Sequence, residues 1–252
     1  MKVEYQNHYL TDMDVANFAR LSFAKLAENF TPEQNHDLIR FLARGMQSKD
    51  WDNLIERMLN LGKYTDEDLR KQHAHELAVY MRKIPEHWVP FGHPHISLRM
   101  EAPIYIARQL FKHKIGMVES EESRRYISCE PVLYVPDEFR AAAADKKQGS
   151  GDRHENSDFW RQRYTEVCTR AIQVYMDMID AKVAPEQARG VLPQGVEVHW
   201  ALTGSLYAFA NLYNQRADSH AQKESQMIAE QINTIIAPLY PVSWAALTKG
   251  EY

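Results

Sequence analysis

The segment Ala102–Tyr126 reads APIYIARQLFKHKIGMVESEESRRY, and it decides more about this chain than any other stretch of similar length. Pro103 suits the first turn of a helix and Gly116 suits its end, so the segment predicts a helix over Ile104–Lys114. Most other positions on this helix are apolar, which predicts a helix packed inside the protein.

Polar side chains form two adjoining ridges on the predicted helix. Arg108 and Lys112 are four residues apart, as are Gln109 and His113, so each pair shares a face. A buried cation is costly unless it meets an anion or a carboxylate. The pattern therefore indicates either a site for an anionic, planar ligand or an internal ion pair with a neighbouring glutamate.

Four blocks of sequence between Pro90 and Gln222 add to this pattern. They are PFGH at 90–93, KHK at 112–114 with SEESRRY at 120–126, ARGVLP at 188–193, and RADSHAQ at 216–222. Their content and order resemble the signature of the flavin-dependent thymidylate synthases, and ARLSF at 19–23 is a weaker echo of it. The family pattern has Arg-His-Arg and later Asn-Glu-x-Ser-x-Arg-Tyr, so Lys112, Lys114 and Ser120 depart from it.

The resemblance implies a reaction, the reductive methylation of deoxyuridylate (dUMP) to thymidylate (dTMP). The carbon donor would be 5,10-methylenetetrahydrofolate, FAD would carry electrons and NADPH would reduce the flavin. Uracil is a poor carbon nucleophile, so the site must stabilise negative charge that develops on the ring as C5 attacks the one-carbon unit. A planar, permanently charged guanidinium suits this task, and we expect Arg216 to be the catalytic residue.

The resemblance also assigns ligand-binding residues. Those expected to bind the nucleotide are Gln109, Lys112, Glu121, Ser123, Arg125, Arg189 and Arg216. Those expected to bind the flavin or folate are Ser22, His93, His113, Lys114, Asn211 and His220. Lysine in place of arginine keeps the charge but loses bidentate hydrogen bonding. The family forms homotetramers with sites built from several subunits, and the separation of the blocks along the chain is compatible with such sharing.

Composition limits the alternatives. The chain has 252 residues, of which 44% are hydrophobic and 25% are charged, enough for a sizeable core in one domain. A net charge of −4 disfavours a nucleic-acid polymer as partner. Two cysteines without a CxxC pair fit a reducing compartment, and the absence of a long apolar run or a signal-peptide core predicts a cytoplasmic protein without a membrane span.

The periodicities predict an α+β fold with long helices packed around a modest central sheet, of the thymidylate synthase-complementing protein type. We expect a single domain over 1–252, with a helical insertion at about 46–83. Predicted strands are 2–9, 95–101 and 197–201, with a further extended segment at 131–136. Predicted helices include 32–42, 50–61, 66–82, 158–183, 204–214 and 220–239. The polar segment 141–157 predicts an exposed, mobile loop.

Other chemistries fit the sequence less well. Asp218, Ser219 and His220 have the residue types of a hydrolase triad, but sequence neighbours point in different directions. His87, His93 and His95 could ligate zinc, but three nearby histidines also serve as nucleotide contacts, so we expect no metal. Two alternatives stay open: a related flavoenzyme that makes a different C5-modified pyrimidine nucleotide, and a non-catalytic nucleotide-binding homologue.

Overall fold

The sheet of this α+β protein has four strands: β1 (Lys2–Tyr9), β2 (His95–Pro103), β3 (Met117–Glu121) and β6 (Glu197–Ser205). Their order is β1-β2-β6-β3, and β3 pairs antiparallel with β6 so that Met117 lies opposite Gly204 and Glu121 opposite Trp200. Buried positions alternate along β2 and β6, as expected for strands with one face on a core. The side chains they bury are Ile96, Leu98, Met100, Ala102, Val198, Trp200 and Leu202.

The computed structural model describes residues 1–46, 48–82, 87–143 and 149–248. Its helices are α1 (Asp12–Leu21), α2 (Pro32–Ala43), α3 (Ser48–Leu61), α4 (Glu67–Arg82), α5 (Val89–Gly92), α6 (Ile104–Leu110), α7 (Ser157–Asp180), α8 (Pro185–Ala188), α9 (Leu206–Arg216), α10 (Lys223–Ile236) and α11 (Pro241–Thr248), with 3-10 turns at Ala27–Asn29 and Arg189–Val191. None of the helices in these ranges has the length and apolar character that a membrane span requires.

Two compact units share these elements. The first contains residues 1–7, 97–204 and 211–233, and the second contains the described residues of 8–96, 205–210 and 234–252. The first unit holds most of the sheet together with α6, α7, α8 and most of α10. The second holds α1 to α5 and α11.

The core of the first unit forms where α6 meets the sheet. Ile106, Ala107 and Leu110 of α6 are buried, and the Phe111 ring meets Trp200 of β6 edge-on with centroids 5.3 Å apart. The backbone N–H of Ile104 donates to the Val196 carbonyl at 3.0 Å. These contacts fix α6 against the strand that precedes α9.

Helix α6 ends four residues earlier than the sequence predicted. The helix was expected to reach Lys114, but it ends at Leu110, and the chain tightens into three-residue turns in which Lys112 N–H donates to the Gln109 carbonyl and His113 N–H to Leu110. Gly116 then adopts φ +72°, a left-handed conformation that favours glycine. The chain can thus reverse into β3, which the sequence analysis did not predict.

The predicted loop 141–157 is also corrected where it is described. Strands β4 (Arg140–Ala142) and β5 (Ser150–Arg153) pair antiparallel, with Arg140 opposite Arg153. The hydroxyl of buried Ser157 accepts the Phe139 N–H at 2.7 Å, so a polar side chain anchors the hairpin base. Polar strands without hydrophobic alternation give no pattern to detect. The part of the predicted loop at 144–148 lies outside the described residues.

The predicted insertion at about 46–83 corresponds to α3 and α4. Leu54 and Leu77 are buried together, with Leu61 packed against them. Both helices were predicted, whereas residues 47 and 83 of the proposed insertion lie outside the described part. No role follows from this packing.

Helices α1, α2, α5 and α11 form the core of the second unit, around the buried side chains Val15, Ile39, Phe91, Trp244 and Leu247. The carboxylate of Asp12 accepts the backbone N–H groups of Val242 at 2.8 Å and Ser243 at 3.0 Å. These are unpaired donors in the first turn of α11, so one side chain at the start of α1 caps a helix distant in sequence.

Removing this cap should destabilise the fold. We expect Asp12→Ala to lower the free energy of unfolding by about 2 kcal/mol, because two charge-assisted hydrogen bonds to a helix N-terminus are lost. Urea denaturation of the purified protein measures this change. Asp37→Ala, which removes an exposed carboxylate paired with Arg40 at 3.1 Å, should cost less than about 0.5 kcal/mol. Equal losses in the two variants would contradict the capping role.

Candidate active site

A cleft of about 680 Å³ opens in the first unit beside α6. We call it the arginine cleft. Residues of four segments line it: Ile104, Ala107, Arg108, Phe111, Glu121, Glu122, Ser123, Arg124, Arg125, Glu186, Arg189, Gly190, Leu192, Gln194 and Val198. Four of the predicted nucleotide-binding residues, Glu121, Ser123, Arg125 and Arg189, are among them. The second and third sequence blocks therefore meet in one place.

The arginine cleft combines four guanidinium groups with three carboxylates and an apolar wall. Burial and the neighbouring Glu122 raise the pKa of the Glu121 carboxyl, while Arg108 and Arg189 act in the opposite direction. Arg108 itself is exposed. Arg108 was expected to lie inside the protein, and this is wrong: it lies beside Glu121 at an open cleft instead of in the core.

The polar residues in the turn after β3 have different contacts. The Ser123 hydroxyl accepts the backbone N–H and the Nε of Arg125, both at 3.4 Å, and the Arg125 guanidinium lies 5.1 Å from the Tyr126 ring centroid. Arg124 instead donates to the Cys129 carbonyl at 2.6 Å. The Arg125 side chain is exposed and can turn to a ligand, whereas Arg124 holds the loop.

A histidine that the sequence analysis did not identify supports this turn. The Nδ1 atom of His199 lies 3.1 Å from a Glu122 carboxylate oxygen, and its Nε2 atom lies 3.2 Å from Glu101. The Glu122 backbone N–H donates to the His199 carbonyl at 2.9 Å. No sequence motif contains His199; strand pairing between β3 and β6 brings it to the cleft.

A second cluster lies around Gln109, and we call it the Gln109 network. The carboxamide of Gln109 donates to the Gln222 side chain and accepts the Ser225 hydroxyl at 3.1 Å. The Gln109 backbone carbonyl accepts Nη2 of Arg216 at 3.1 Å. Glu224 accepts the Gln222 carboxamide at 2.9 Å. His113 of the second block also accepts from Arg216 of the last block. These two blocks thus meet within one chain, so their separation in sequence does not place them in different subunits.

The expected catalytic residue, Arg216, is held at the edge of this network. Its Nε atom donates to Nε2 of His113 at 2.9 Å. Burial, and then the Arg216 charge, lower the pKa of His113 to about 4, so the ring is neutral at pH 7 and can accept this bond. A guanidinium has five N–H donors, so Arg216 has further donors for a ligand.

The other predicted ligand-binding residues of the first unit lie at the surface or in partly buried positions. Lys112 is exposed, and the Lys114 ammonium is paired with Glu119 of β3. Asn211 is partly buried on α9. His220 is exposed, with Nδ1 2.9 Å from the Asp218 carboxylate. The Asp218–His220 pair alone does not make a hydrolase triad, because a triad also needs a serine hydroxyl hydrogen-bonded to the histidine.

Ser22 and His93 belong to the second unit and are described separately. Ser22 is exposed at the end of α1, directly before Phe23, whose side chain is 75% exposed. The His93 ring stacks on Phe18 with centroids 4.0 Å apart and an angle of 15°. Exposed Phe23 and the stacked pair each present a flat ring face, on which a planar ring system can pack.

The residues present fit a flavin dinucleotide by their chemistry. In the first unit, Lys112, Lys114 and His220 offer exposed cationic or hydrogen-bonding groups suited to phosphate oxygens. In the second unit, taken by itself, the aromatic side chains Phe18 and Phe23 suit a planar ring system. Among the described residues, no group of three or more His, Cys, Asp and Glu side chains is arranged to hold a metal ion.

Comparisons with known proteins show the family to which this chain is similar. The family model described as "Thymidylate synthase complementing protein" matches residues 7–242. A flavin-dependent thymidylate synthase of Thermosipho africanus is 32% identical over 170 residues, 66% of this chain and 73% of the relative. One from Streptomyces avermitilis is 30% identical over 209 residues, 77% of this chain and 85% of the relative.

A solved structure has a similar fold. The UMP/dUMP methylase PolB of Streptomyces cacaoi, bound with 5-Br dUMP, superposes with a TM-score of 0.73 at 25% identity, covering 97% of this chain and 93% of PolB. The site and these matches define an enzyme of the methyltransferase class. The chain belongs to the thymidylate synthase complementing protein family, and its resemblance to flavin-dependent thymidylate synthases is confirmed.

The neutral His113 gives a pH dependence of stability. Its ordinary pKa is 6.5 and its value in the fold is about 4. Above pH 6.5 both folded and unfolded chains carry a neutral ring, so His113 does not affect the pH dependence there. Between pH 6.5 and 4 the unfolded chain binds a proton that the folded chain does not, so the free energy of unfolding falls as the pH falls.

His113→Gln removes this titration and keeps an acceptor for Arg216. We expect the melting temperature of the wild-type protein to fall more between pH 7 and pH 5 than that of His113→Gln, because only the wild type loses stability through this group. Differential scanning fluorimetry in buffers of equal ionic strength measures both. His75→Gln, a change at an exposed histidine of α4, should behave like wild type. Parallel pH profiles for all three proteins would contradict the assignment.

Proposed function

We propose that this chain catalyses the FAD-dependent reductive methylation of dUMP to dTMP, with 5,10-methylenetetrahydrofolate as carbon donor and NADPH as reductant. The observation that carries the proposal is the position of Arg216, whose guanidinium is held between neutral His113 and the Gln109 carbonyl. Flavin-dependent thymidylate synthases among the relatives support the reaction. A location in the cytoplasm stays a prediction.

Arg216 stabilises the charge that develops on the pyrimidine. As C5 of the uracil ring attacks the one-carbon unit, negative charge spreads over the ring carbonyl and nitrogen atoms. The neutral His113 accepts a hydrogen bond from Arg216 without bringing a negative charge. The positive charge of Arg216 is therefore not neutralised and can act on the ligand. Partial burial lowers the pKa of Arg216, but a guanidinium stays protonated at neutral pH. Partial burial also strengthens its electrostatic effect.

The arginine cleft supplies the anion-binding part of the proposed site. Arg125 and Arg189 carry charge that suits a phosphate, and the Ser123 hydroxyl, which accepts from Arg125, keeps its own hydrogen for donation. Glu121 adds a carboxyl group that can accept hydrogen bonds from a ligand, and burial raises its pKa. Lys112, exposed two residues beyond the end of α6, carries a further positive charge outside the cleft lining.

The predicted nucleotide-binding residues form two groups within one chain. Gln109 and Arg216 belong to the Gln109 network, and the cleft residues belong to another surface, which does not include Gln109 among its lining residues. In a homotetramer, the network of one subunit and the cleft of another would complete one site. This division supports the proposed shared sites better than the spacing of the sequence blocks does.

A flavin bound at this site would supply the electrons that convert the transferred carbon to a methyl group. We propose that Ser22, His93, His113, Lys114, Asn211 and His220 hold it or the folate. His113 would do so while accepting a hydrogen bond from Arg216, which links the cofactor-binding and substrate-binding residues.

The nucleotide substrate needs a direct comparison, because PolB is a methylase of UMP as well as dUMP. Purified protein with FAD, NADPH and 5,10-methylenetetrahydrofolate should convert dUMP to dTMP, with a mass increase of one methyl replacing one hydrogen, measured by mass spectrometry of the nucleotide. UMP should be assayed in parallel. A hydroxymethylated product would replace the proposed reaction with the related flavoenzyme, and nucleotide binding without product would favour the non-catalytic homologue.

Loss of Arg216 should abolish most activity, and the loss should be rescued across subunits. We expect Arg216→Ala to lower kcat by about 10² to 10³-fold, the usual effect of removing one donor that stabilises developing charge. Mixing Arg216→Ala subunits with Arg189→Ala subunits should restore activity, because some sites in mixed assemblies combine an intact network with an intact cleft. Steady-state rates after unfolding and co-refolding at several ratios measure the recovery.

The control for this rescue uses two changes in the same cluster. Arg216→Ala mixed with Gln109→Ala should recover nothing, because Arg216 Nη2 and the Gln109 carbonyl are bonded within one chain. Native mass spectrometry confirms that mixed assemblies form. Equal recovery in both mixtures, or none in either, would contradict the proposed sharing.

A further inference from the structure

Glu224 is the one buried acidic side chain among the described residues, at 4% exposure, and the proposed reaction gives it no task. It lies in the first turn of α10, where the helix dipole favours a negative charge. Burial raises the pKa of its carboxyl, but hydrogen bonds, first among them that from Arg140, outweigh this and leave the pKa below its usual range. Burying an ionised carboxylate costs free energy of desolvation, so we ask which interactions of Glu224 offset this cost and what they do.

Each carboxylate oxygen of Glu224 has its own partner. Oε1 accepts Nη2 of Arg140 at 2.6 Å, and Oε2 accepts Nε2 of Gln222 at 2.9 Å. Arg140 also donates from Nε to the Ser150 hydroxyl at 2.6 Å, which ties the ion pair to the β4–β5 hairpin. Oε1 of Glu224 is thus linked through Arg140 to the hairpin, and Oε2 is linked through Gln222 to the Gln109 network.

The carboxylate determines which way the two amides point. An ionised carboxylate can only accept, so Gln222 must turn its NH₂ group toward Glu224 and its carbonyl oxygen toward Gln109. Gln109 must then donate its NH₂ group to Gln222, which turns its own carbonyl oxygen to the Ser225 hydroxyl. A carboxamide without such a fixed neighbour can rotate by half a turn and exchange its donor and acceptor.

We propose that Glu224 is a positioning residue that, through Gln222, holds the Gln109 carboxamide in one of its two orientations for the ligand. The proposal rests on the proposed function to the extent that Gln109 contacts the nucleotide. An amide held in the correct orientation presents its hydrogen-bonding groups to the ligand without an ordering cost at binding, whereas a rotated amide opposes like groups.

Two variants break the same ion pair but differ at Gln222. In Glu224→Gln the single carbonyl oxygen is drawn to the Arg140 cation, so the new NH₂ group faces Gln222 and inverts the chain of amides. In Arg140→Met the carboxylate remains acceptor-only, so the orientation of Gln222 and Gln109 is kept. Both variants should be less stable, because each leaves one charge without its partner.

Affinity for dUMP, measured by isothermal titration calorimetry on the flavin-loaded protein at pH 8, separates a positioning role from a structural one. We expect Glu224→Gln to raise the Kd about tenfold, as for loss of one hydrogen bond in a ligand site. Arg140→Met should stay within about twofold of wild type. Glu166→Gln, which breaks the exposed pair with Arg163 on α7 at 2.8 Å, is the matched control and should change nothing. Equal Kd values for Glu224→Gln and Arg140→Met would overturn the proposal.

A measurement without ligand keeps this test separate from the proposed function. In protein labelled with ¹⁵N at glutamine side chains, the Gln109 signal is identified by its loss in Gln109→Glu. Its carboxamide hydrogens should exchange slowly with solvent in wild type and Arg140→Met and rapidly in Glu224→Gln. Unchanged protection in Glu224→Gln would overturn the positioning role whether or not dUMP binds. Failure of wild-type protein to bind dUMP, with the expected exchange pattern, would instead contradict the proposed function.

Discussion

The packing of α6 against β6 is the constraint on which the rest of the site depends. Ile106, Ala107 and Leu110 are buried, Phe111 contacts Trp200, and the first turn is hydrogen-bonded to the residue before the strand. These contacts fix the rotation of α6 about its own axis, and therefore the side of the helix on which each polar residue lies. Arg108 must face the arginine cleft and Gln109 must face the start of α10, so hydrophobic burial sets the position of the polar chemistry.

Charge in the two clusters is arranged by different means. The arginine cleft sets four cations beside three carboxylates at an open surface, where solvent screens them and a ligand phosphate can compete for them. The Gln109 network is partly buried and uses neutral groups around one cation, Arg216, and one ion pair, Arg140 with Glu224. The first arrangement suits binding of an anion, and the second suits stabilisation of charge that develops during reaction.

Sequence reasoning was most successful where a pattern is local. The α+β class, β1, β2 and helices such as α2 and α7 follow from periodicity and end signals, and the family blocks predicted residues that the structure brings together. It was less successful where tertiary contacts decide. The early end of α6 depends on turns that no residue signals, β4 and β5 are polar strands anchored by Ser157, and His199 and Glu224 acquire partners only through folding. The roles of these residues depend on contacts with residues distant in sequence, and local sequence patterns do not predict such contacts.

The seven residues of α6 have a consequence for how ligands communicate. Backbone hydrogen bonds hold the residues of a two-turn helix at fixed spacing, so any shift of α6 displaces all of them. Arg108 on one side and Gln109 on the other therefore move together or not at all. If the two sides of α6 belong to different sites of an assembly, a ligand that shifts α6 at one site also shifts residues of the other site. Binding at the two sites would then be cooperative through α6 alone.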